Sequence, residues 1–163
     1  MSTFVSVGNA YQPFTRLIHA VTSIAPALSQ PVVVQHGHTP FDSVECRGVA
    51  FLDMRAFESA VSEAEVVILH AGAGSLIHAL GAGKAPVIMA RRAELGEHVD
   101  DHQVEFAREL ALTGRVVVLA HSAELWAAIE RARALSANVA RSEPPVVKMV
   151  AAILADAARN RLK

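Results

Sequence analysis

The sequence predicts a Rossmann-like α/β domain, in which helices cover both faces of a parallel β-sheet. Short β-branched runs alternate with helical patterns along the chain, and this alternation is typical of parallel sheets. Several of the runs are almost continuously apolar, as expected of strands that helices bury on both faces. The 163 residues, of which 52% are hydrophobic and 19% charged, suit a single domain over residues 1–163 with its own core.

The elements follow one another in a regular order. The predicted strands cover residues 4–7, 32–35, 48–51, 66–69, 87–89 and 116–119. The predicted helices cover residues 14–24, 55–62, 75–82, 101–112 and 123–135, and Trp126 is predicted to lie in the core. A final helix is predicted over about residues 145–162. Three roles are open for its apolar face: packing on the domain's own sheet, contact with a partner chain, or association with a second copy.

Composition and charge exclude several classes of protein. The formal net charge is −1 and no run of Lys and Arg exceeds two residues, so binding to nucleic acid is not expected. The single cysteine, Cys46, cannot form an internal disulfide, which fits a reducing compartment. The first residues lack the features of a signal peptide, and no apolar run is long enough to span a membrane. We therefore expect a soluble cytoplasmic protein.

The candidate site lies where predicted strands end and helices begin, because ligands of parallel sheets bind beyond the carboxyl ends of the strands. Four segments occupy such positions, namely residues 8–13, 36–40, 70–75 and 90–103. They contain most of the glycines and histidines outside the predicted helices. A binding site is therefore expected among these segments.

Residues 70–75, with the sequence His-Ala-Gly-Ala-Gly-Ser, predict a phosphate-binding turn. Gly72 and Gly74 allow a sharp turn and close approach of a ligand to the backbone, and Ser75 is a candidate cap of the next helix. The amides and dipole of that helix would then face the site. The spacing matches neither a dinucleotide-binding fingerprint nor a P-loop, and the chain has no DxD metal motif. No cofactor and no metal ion are predicted.

Residues 90–103 form a polar loop that is long for a compact domain, which favours a functional role. Arg91 or Arg92 could neutralise a diphosphate, or the two could form a solvated pair. At the start of the next helix, Asp101 is a candidate cap and Gln103 could read hydroxyl groups.

The same loop allows a second interpretation, as a metal site. His98, Asp101 and His102 have the i, i+3, i+4 spacing that places ligands on one face of a helix. Gly96 and Val99 indicate that the helix has not yet started at His98. The metal interpretation is therefore disfavoured.

Three pieces of the chain carry a family resemblance. The run HAGAGSLIHALGAGKAPVIMARRAELGEHVDDHQVEFARELALTG, with SVGNAYQPFTRLIHAV and VVVQHGHT nearer the start, resembles the C-terminal domain of family 28 glycosyltransferases. More closely, the chain resembles small subunits that carry this domain alone. These are the donor-binding subunit of the eukaryotic dolichol-linked N-acetylglucosaminyltransferase and its bacterial exopolysaccharide counterparts. The resemblance extends to about residue 119.

The resemblance implies one half of a GT-B fold, the half that binds a UDP-sugar donor. The loop of residues 90–98, with Arg91, would help to enclose the nucleotide. The other implied donor-binding residues are Gly8 and Asn9 beside the phosphates or acceptor, Gly72, Ala73, Gly74 and Ser75 around the diphosphate, and Asp101, His102 and Gln103 at the sugar.

One position departs from the family pattern. The family usually has a glutamate three residues after the Gly-Ser/Thr turn, where it binds the ribose hydroxyls, and this chain has His78 there. An imidazole offers one donor and one acceptor instead of a bidentate acceptor. With His78 at this position, the resemblance leaves the donor affinity and the nucleotide preference of the chain open.

The resemblance also implies a partner. A GT-B enzyme has two Rossmann-like domains, so a membrane-anchored acceptor-binding subunit would supply the lipid-linked acceptor and the catalytic base, which this sequence does not reveal. The chain would then be cytoplasmic and peripheral at the inner membrane face. Self-association, a non-catalytic nucleotide-sugar-binding regulator, and a small hydrolase or epimerase remain as alternatives.

Overall fold

The computed structural model describes residues 2–139 and 150–155, and its strands form one six-stranded parallel sheet. The strands lie in the order β3-β2-β1-β4-β5-β6. Every strand overlaps the one predicted for it, so the predicted parallel α/β sheet is confirmed. The strands are β1 (Thr3–Ser6), β2 (Val32–Gln35), β3 (Arg47–Val49), β4 (Val66–His70), β5 (Val87–Met89) and β6 (Val117–Val118).

Five of the observed helices follow strands in the predicted order. They are α1 (Thr15–Ile24), α2 (Met54–Glu63), α3 (Ala73–Gly81), α4 (His102–Leu112) and α5 (Leu125–Val139). Residues 36–46, which join β2 to β3, contain no helix. Within the described ranges, no helix has both the length and the hydropathy that a membrane span needs.

Two hydrophobic layers, one on each face of the sheet, explain why the strands read as continuous apolar runs. In β1, Val5 faces the first layer and Phe4 the second. The first layer contains Leu17 and Val21 of α1 with Leu125 and Ile129 of α5. The second layer contains apolar residues of α2, α3 and α4, including Phe57, Val61, Leu76, Leu80, Phe106 and Leu110. Because both faces are covered, consecutive residues of the central strands β1, β4 and β5 are buried.

The order in which successive strands join the sheet reverses beside β1, and this places the loops that matter for binding. Ser6 at the end of β1 pairs with Gln35 of β2 on one side and with Leu69 of β4 on the other. The loops after these three strands therefore emerge together at one edge of the sheet. Such a reversal is the usual location of a ligand crevice in open parallel sheets.

Two expectations about the later helices need correction or restriction. Trp126 was expected in the core, but it is 43% exposed, because Leu125, Ala128 and Ile129 form the inward face of α5. Of the predicted final helix, only residues 150–155 lie within the described part of the chain, and they are helical. Val150 is buried in the second layer and Ile153 packs against it. This part of the helix packs on the domain itself.

Candidate functional site

A cavity of about 330 Å³ opens at the carboxyl ends of β1, β2 and β4, between α2 and α3. It brings together six of the residues proposed from the sequence, namely Gly8, Asn9, Gly72, Gly74, Ser75 and His78. Five further residues line it, namely Gln35, Leu52, Met54, Phe57 and His70. The cavity therefore has a polar end at the two glycine-containing loops and an apolar wall from residues 52–57.

The amino end of α3 faces this cavity without a side-chain cap. The helix begins at Ala73 after Gly72, two residues earlier than predicted, so Ser75 lies inside the first turn and is not its cap. The Leu76 amide donates to the Gly72 carbonyl at 3.1 Å, whereas the amides before it have no acceptor within the helix. A Cβ added to Gly74 would meet no heavy atom within 4 Å. The first turn therefore offers amides, a hydroxyl and open space to a ligand.

The imidazole of His70 occupies the space between the two glycine loops. A Cβ on Gly8 would lie 2.5 Å from the ring Nε2, and a Cβ on Gly72 would lie 2.1 Å from the same atom. Gly8 also has a φ of 77°, a left-handed conformation that other residues rarely adopt. Both glycines are therefore needed to seat His70, a role that differs from the ligand approach proposed from the sequence.

His70 is an uncharged polar group at the floor of the cavity. Burial, followed by the nearby charge of Arg91, lowers the pKa of His70 to about 4. Its Nδ1 is buried and makes no hydrogen bond of ordinary geometry to the described residues. The ring is thus neutral at physiological pH and can donate or accept one hydrogen bond on each nitrogen, according to its tautomer.

The other cavity residues that the sequence did not reveal come from two neighbouring elements. Gln35, at the end of β2, donates from Nε2 to Asn9 Oδ1 at 3.3 Å, and its buried Oε1 has no partner within the described part of the chain. Phe57 of α2 packs edge-on against Phe4, with 5.3 Å between ring centroids. In the sequence these residues look like ordinary core positions. For Gln35, only the pairing of β2 with β1, which places it opposite Ser6, could have indicated a position at the cavity.

His78 lies on the cavity side of α3 and pairs with a carboxylate. Its Nδ1 is 3.2 Å from Glu58 Oε1 of α2, and its ring contacts Phe57 edge-on. The side chain of His78 is 28% exposed and that of Glu58 is 54% exposed. A carboxylate is therefore present beside the position where the related family usually has a glutamate.

Arg91 does not face the cavity, which corrects the expectation that its side chain neutralises a diphosphate. It is 0% exposed, and its guanidinium donates to the carbonyls of Gln12, Val7 and Glu97 at 2.7–2.9 Å. It also lies 4.7 Å from the centre of the Phe14 ring. Burial lowers the pKa of Arg91 to about 10, with Glu97 opposing that shift. Arg91 therefore joins the loops that follow β1 and β5.

Arg92 is the more accessible of the two arginines, but it opens on a different cavity. Its side chain is 39% exposed and lies 3.5 Å from Glu94. With Arg16 and Arg108 it lines a second cavity of about 290 Å³ near the end of β6.

The loop of residues 90–103 is fixed by its own polar side chains. Glu97, which is buried, accepts two hydrogen bonds from Arg16 at 2.8–2.9 Å. Asp101 Oδ1 accepts from the Ala93 amide at 2.9 Å and does not cap α4. Gln103 Oε1 accepts from the Arg91 amide at 3.3 Å. These contacts order the loop beside the first cavity.

The remaining residues proposed from the sequence do not line the first cavity. His102 is the first residue of α4, and its Nδ1 contacts Asp100. Asp101 and Gln103 flank it and are held within the loop. Ala73 begins α3 but is absent from the cavity lining, although its amide lies in the first turn. The structure thus brings the loops after β1 and β4 together at the cavity, whereas residues 101–103 lie in the neighbouring 90–103 loop and outside the cavity lining.

Comparison with known proteins identifies relatives of this domain. The family described as Glycosyltransferase family 28 C-terminal domain matches residues 3–143. The glycotransferase of kitacinnamycin has a similar structure, with a TM-score of 0.62 and 18% identity over 97% of this chain and 39% of the other. CalG4, the calicheamicin glycosyltransferase, gives a TM-score of 0.58 and 23% identity over 97% of this chain and 40% of the other.

A third similar structure is the glycosyltransferase SnogD from Streptomyces nogalater, with a TM-score of 0.54 and 16% identity over 95% of this chain and 43% of the other. The fold is that of the C-terminal half of GT-B glycosyltransferases. The chain thus spans about two fifths of the length of these proteins. No match was found among curated protein sequences.

Proposed function

Because the chain belongs to the family of glycosyltransferase family 28 C-terminal domains, we propose that it binds a UDP-sugar donor in the cavity between β1, β4 and α3. The observation that carries the proposal is the amino end of α3, which is uncapped by any side chain and opens onto this cavity. Free amides and the positive end of a helix dipole form an anion site.

The diphosphate is proposed to lie against residues 72–75. The described lining of the cavity contains no Arg or Lys, so the donors that this chain offers to the diphosphate are backbone amides and the Ser75 hydroxyl. Gly74 leaves the backbone open to a phosphate, since nothing lies within 4 Å of its missing Cβ. The neutral ring of His70 lies at the same end and can hydrogen-bond a phosphate oxygen or the sugar. Such donors would stabilise the departing diphosphate during transfer.

The nucleoside is proposed to lie along the wall of Leu52, Met54 and Phe57. This wall offers apolar surface to a base, while Asn9 and Gln35 contribute polar side chains to the same cavity. An apolar cavity with a few polar groups that converge is the usual form of a small-molecule site. Its volume of about 330 Å³ lies within the range of about 300–1,000 Å³ that such sites have.

The ribose is proposed to meet the His78–Glu58 pair. His78→Glu alone would place a second carboxylate about where His78 Nδ1 now lies 3.2 Å from Glu58, and the two negative charges would repel. We therefore expect the double change Glu58→Gln with His78→Glu to tighten UDP binding about tenfold, corresponding to about 1.4 kcal/mol. His78→Glu alone should give a smaller gain.

Calorimetric titration of the wild type, both single variants and the double variant with UDP checks this expectation. Glu58→Gln alone is the matched control for the loss of the existing pair. A double variant that binds UDP no better than the wild type would show that residue 78 does not meet the ribose.

We propose that a membrane-anchored acceptor-binding subunit supplies the second wall of the cleft, the lipid-linked acceptor and the catalytic base. The domain would then act at the cytoplasmic face of the membrane through that partner, in polysaccharide or lipid-linked glycan synthesis. The support is the match to a family 28 C-terminal domain and the sequence resemblance to single-domain donor-binding subunits.

Reconstitution with a candidate partner separates this proposal from the alternatives. Sugar transfer to a lipid acceptor is expected only when both chains are present. Donor binding without transfer, in the presence of every candidate partner, would favour a non-catalytic regulator. Transfer by the single chain would contradict the two-subunit arrangement while leaving donor binding intact.

A further inference from the structure

Three side chains with metal-ligating atoms converge in the turn before α4. His98 Nδ1 lies 3.4 Å from Asp100 Oδ1, and His102 Nδ1 contacts the same carboxylate oxygen. The two imidazole rings pack edge to face, with 4.6 Å between their centroids. One ligand atom from each of the three residues lies within 4.8 Å of the others. We call this group the His98–Asp100–His102 cluster.

The convergence differs from the helical spacing considered in the sequence. That spacing paired the two histidines with Asp101, but Asp101 Oδ1 is held by the Ala93 amide. Since α4 begins only at His102, the chain before it is a turn, and the turn brings Asp100 between the histidines. The third candidate ligand is therefore Asp100.

The chemistry of the three donors selects a class of ion. Two imidazole nitrogens and one carboxylate oxygen form a set that binds Zn²⁺ and similar transition metals, whereas Mg²⁺ and Ca²⁺ prefer oxygen ligands alone. Metal–ligand bonds of about 2.0–2.2 Å require donor atoms about 3–4 Å apart around one ion. The three ligand atoms lie within 4.8 Å of one another, so side-chain rotations would have to bring them to this spacing.

The turn that carries the ligands is already ordered by contacts outside the cluster. Glu97 precedes it and is held by Arg16, and Gln103 follows it and is held by the Arg91 amide. Ligands on an ordered backbone lose little conformational entropy when they bind an ion. The side chains of the cluster are 18–45% exposed, so an ion can reach them from solvent.

We propose that His98, Asp100 and His102 bind one divalent transition-metal ion of the Zn²⁺ class, through Nδ1, a carboxylate oxygen and Nδ1. The ion has at least one further position open to water or a ligand, as three-ligand zinc sites do. It ties the end of the 90–103 loop to the first turn of α4. None of the three ligands lines the donor cavity, although His102 is one of the residues that the family resemblance places at the sugar.

The competing explanation is that the cluster only caps α4. Asp100 Oδ1 accepts from the His102 amide at 3.2 Å, and the Asp100 amide donates to His98 Nδ1 at 3.4 Å. These local hydrogen bonds would hold the three side chains together without an ion. Capping alone predicts no selective affinity for a transition metal.

Titration of the protein with Co²⁺ and Zn²⁺, in the absence of nucleotide, distinguishes the two explanations. We expect one Co²⁺ per chain with visible absorption bands, displacement by Zn²⁺, and a higher melting temperature with Zn²⁺ bound. His98→Ala and His102→Ala should each weaken binding by more than the roughly 10–100-fold that loss of an outer-shell partner causes. Asp100→Asn should also weaken it.

The matched control is His19→Ala, which removes an exposed histidine from α1. This variant should bind Co²⁺ like the wild type. Circular dichroism of each metal-free variant checks that the fold is retained, and His98→Gln provides a second variant if His98→Ala unfolds. The proposal would be overturned if the folded wild type did not bind Co²⁺, or if the folded His98 and His102 variants bound it with the affinity of the wild type.

Discussion

Replacing Gly74 with valine is expected to abolish UDP binding while the domain stays folded. Gly74 lies in the first turn of α3 and lines the cavity, and its missing Cβ points into space that no other atom fills. A valine side chain would occupy the position proposed for the diphosphate and block its approach to the amides. Valine is no poorer a helix former than glycine, so stability should change little. Calorimetry should show a loss of affinity of at least about 100-fold, or about 2.7 kcal/mol.

Gly81→Val is the matched control for this change. Gly81 ends the same helix, is exposed and would also have no heavy atom within 4 Å of an added Cβ, but it lies outside the cavity lining. It should bind UDP like the wild type. If Gly74→Val also binds UDP like the wild type, the diphosphate does not lie at this turn.

Replacing Arg91 with methionine is expected to destabilise the fold by about 3 kcal/mol or more, because each buried acceptor that loses its donor costs about 1–3 kcal/mol. The substitution keeps an apolar stem but leaves three carbonyls, on Val7, Gln12 and Glu97, without their donor. It also removes the contact of the guanidinium with the Phe14 ring. Arg91→Lys should recover only part of the loss, because an ammonium cannot reproduce the planar fork.

Urea denaturation followed by circular dichroism measures this loss. Arg92→Met is the control, since Arg92 is 39% exposed and its contact with Glu94 is long at 3.5 Å. A change within about 0.5 kcal/mol is expected there. Equal stability of the two variants would contradict the structural role assigned to Arg91.

The order of elements could be predicted from the sequence because each element carries its own signal. Buried strands such as β4 and β5 are short apolar runs bounded by turns, and helices such as α1 show apolar residues at helical spacing. The predicted first residues of the helices were less accurate where a capping side chain was inferred. Ser75 and Asp101 both suggest caps, yet Gly72 precedes α3 and the Asp101 side chain binds Ala93 instead.

The candidate site was only partly predictable, since its character depends on contacts between distant segments. The sequence cannot show that the His70 ring fills the space beside Gly8 and Gly72. Nor can it show that Arg91 is buried under the loop after β1, because arginine side chains are usually exposed to solvent. In the sequence, His78 replaces the glutamate that the family usually has. In the structure, the carboxylate of Glu58, from a different helix, lies next to His78. Each of these facts arises from packing between elements.

The central claim, that this domain binds a nucleoside-diphosphate sugar at the amino end of α3, is tested most directly by amide hydrogen exchange with and without UDP. UDP at saturation should slow exchange in residues 72–78, where the amides of the first turn would bind phosphate. Exchange in α5, on the opposite face of the sheet, should not change. Absence of any protection, or protection confined to the second cavity near residues 104–120, would contradict the account.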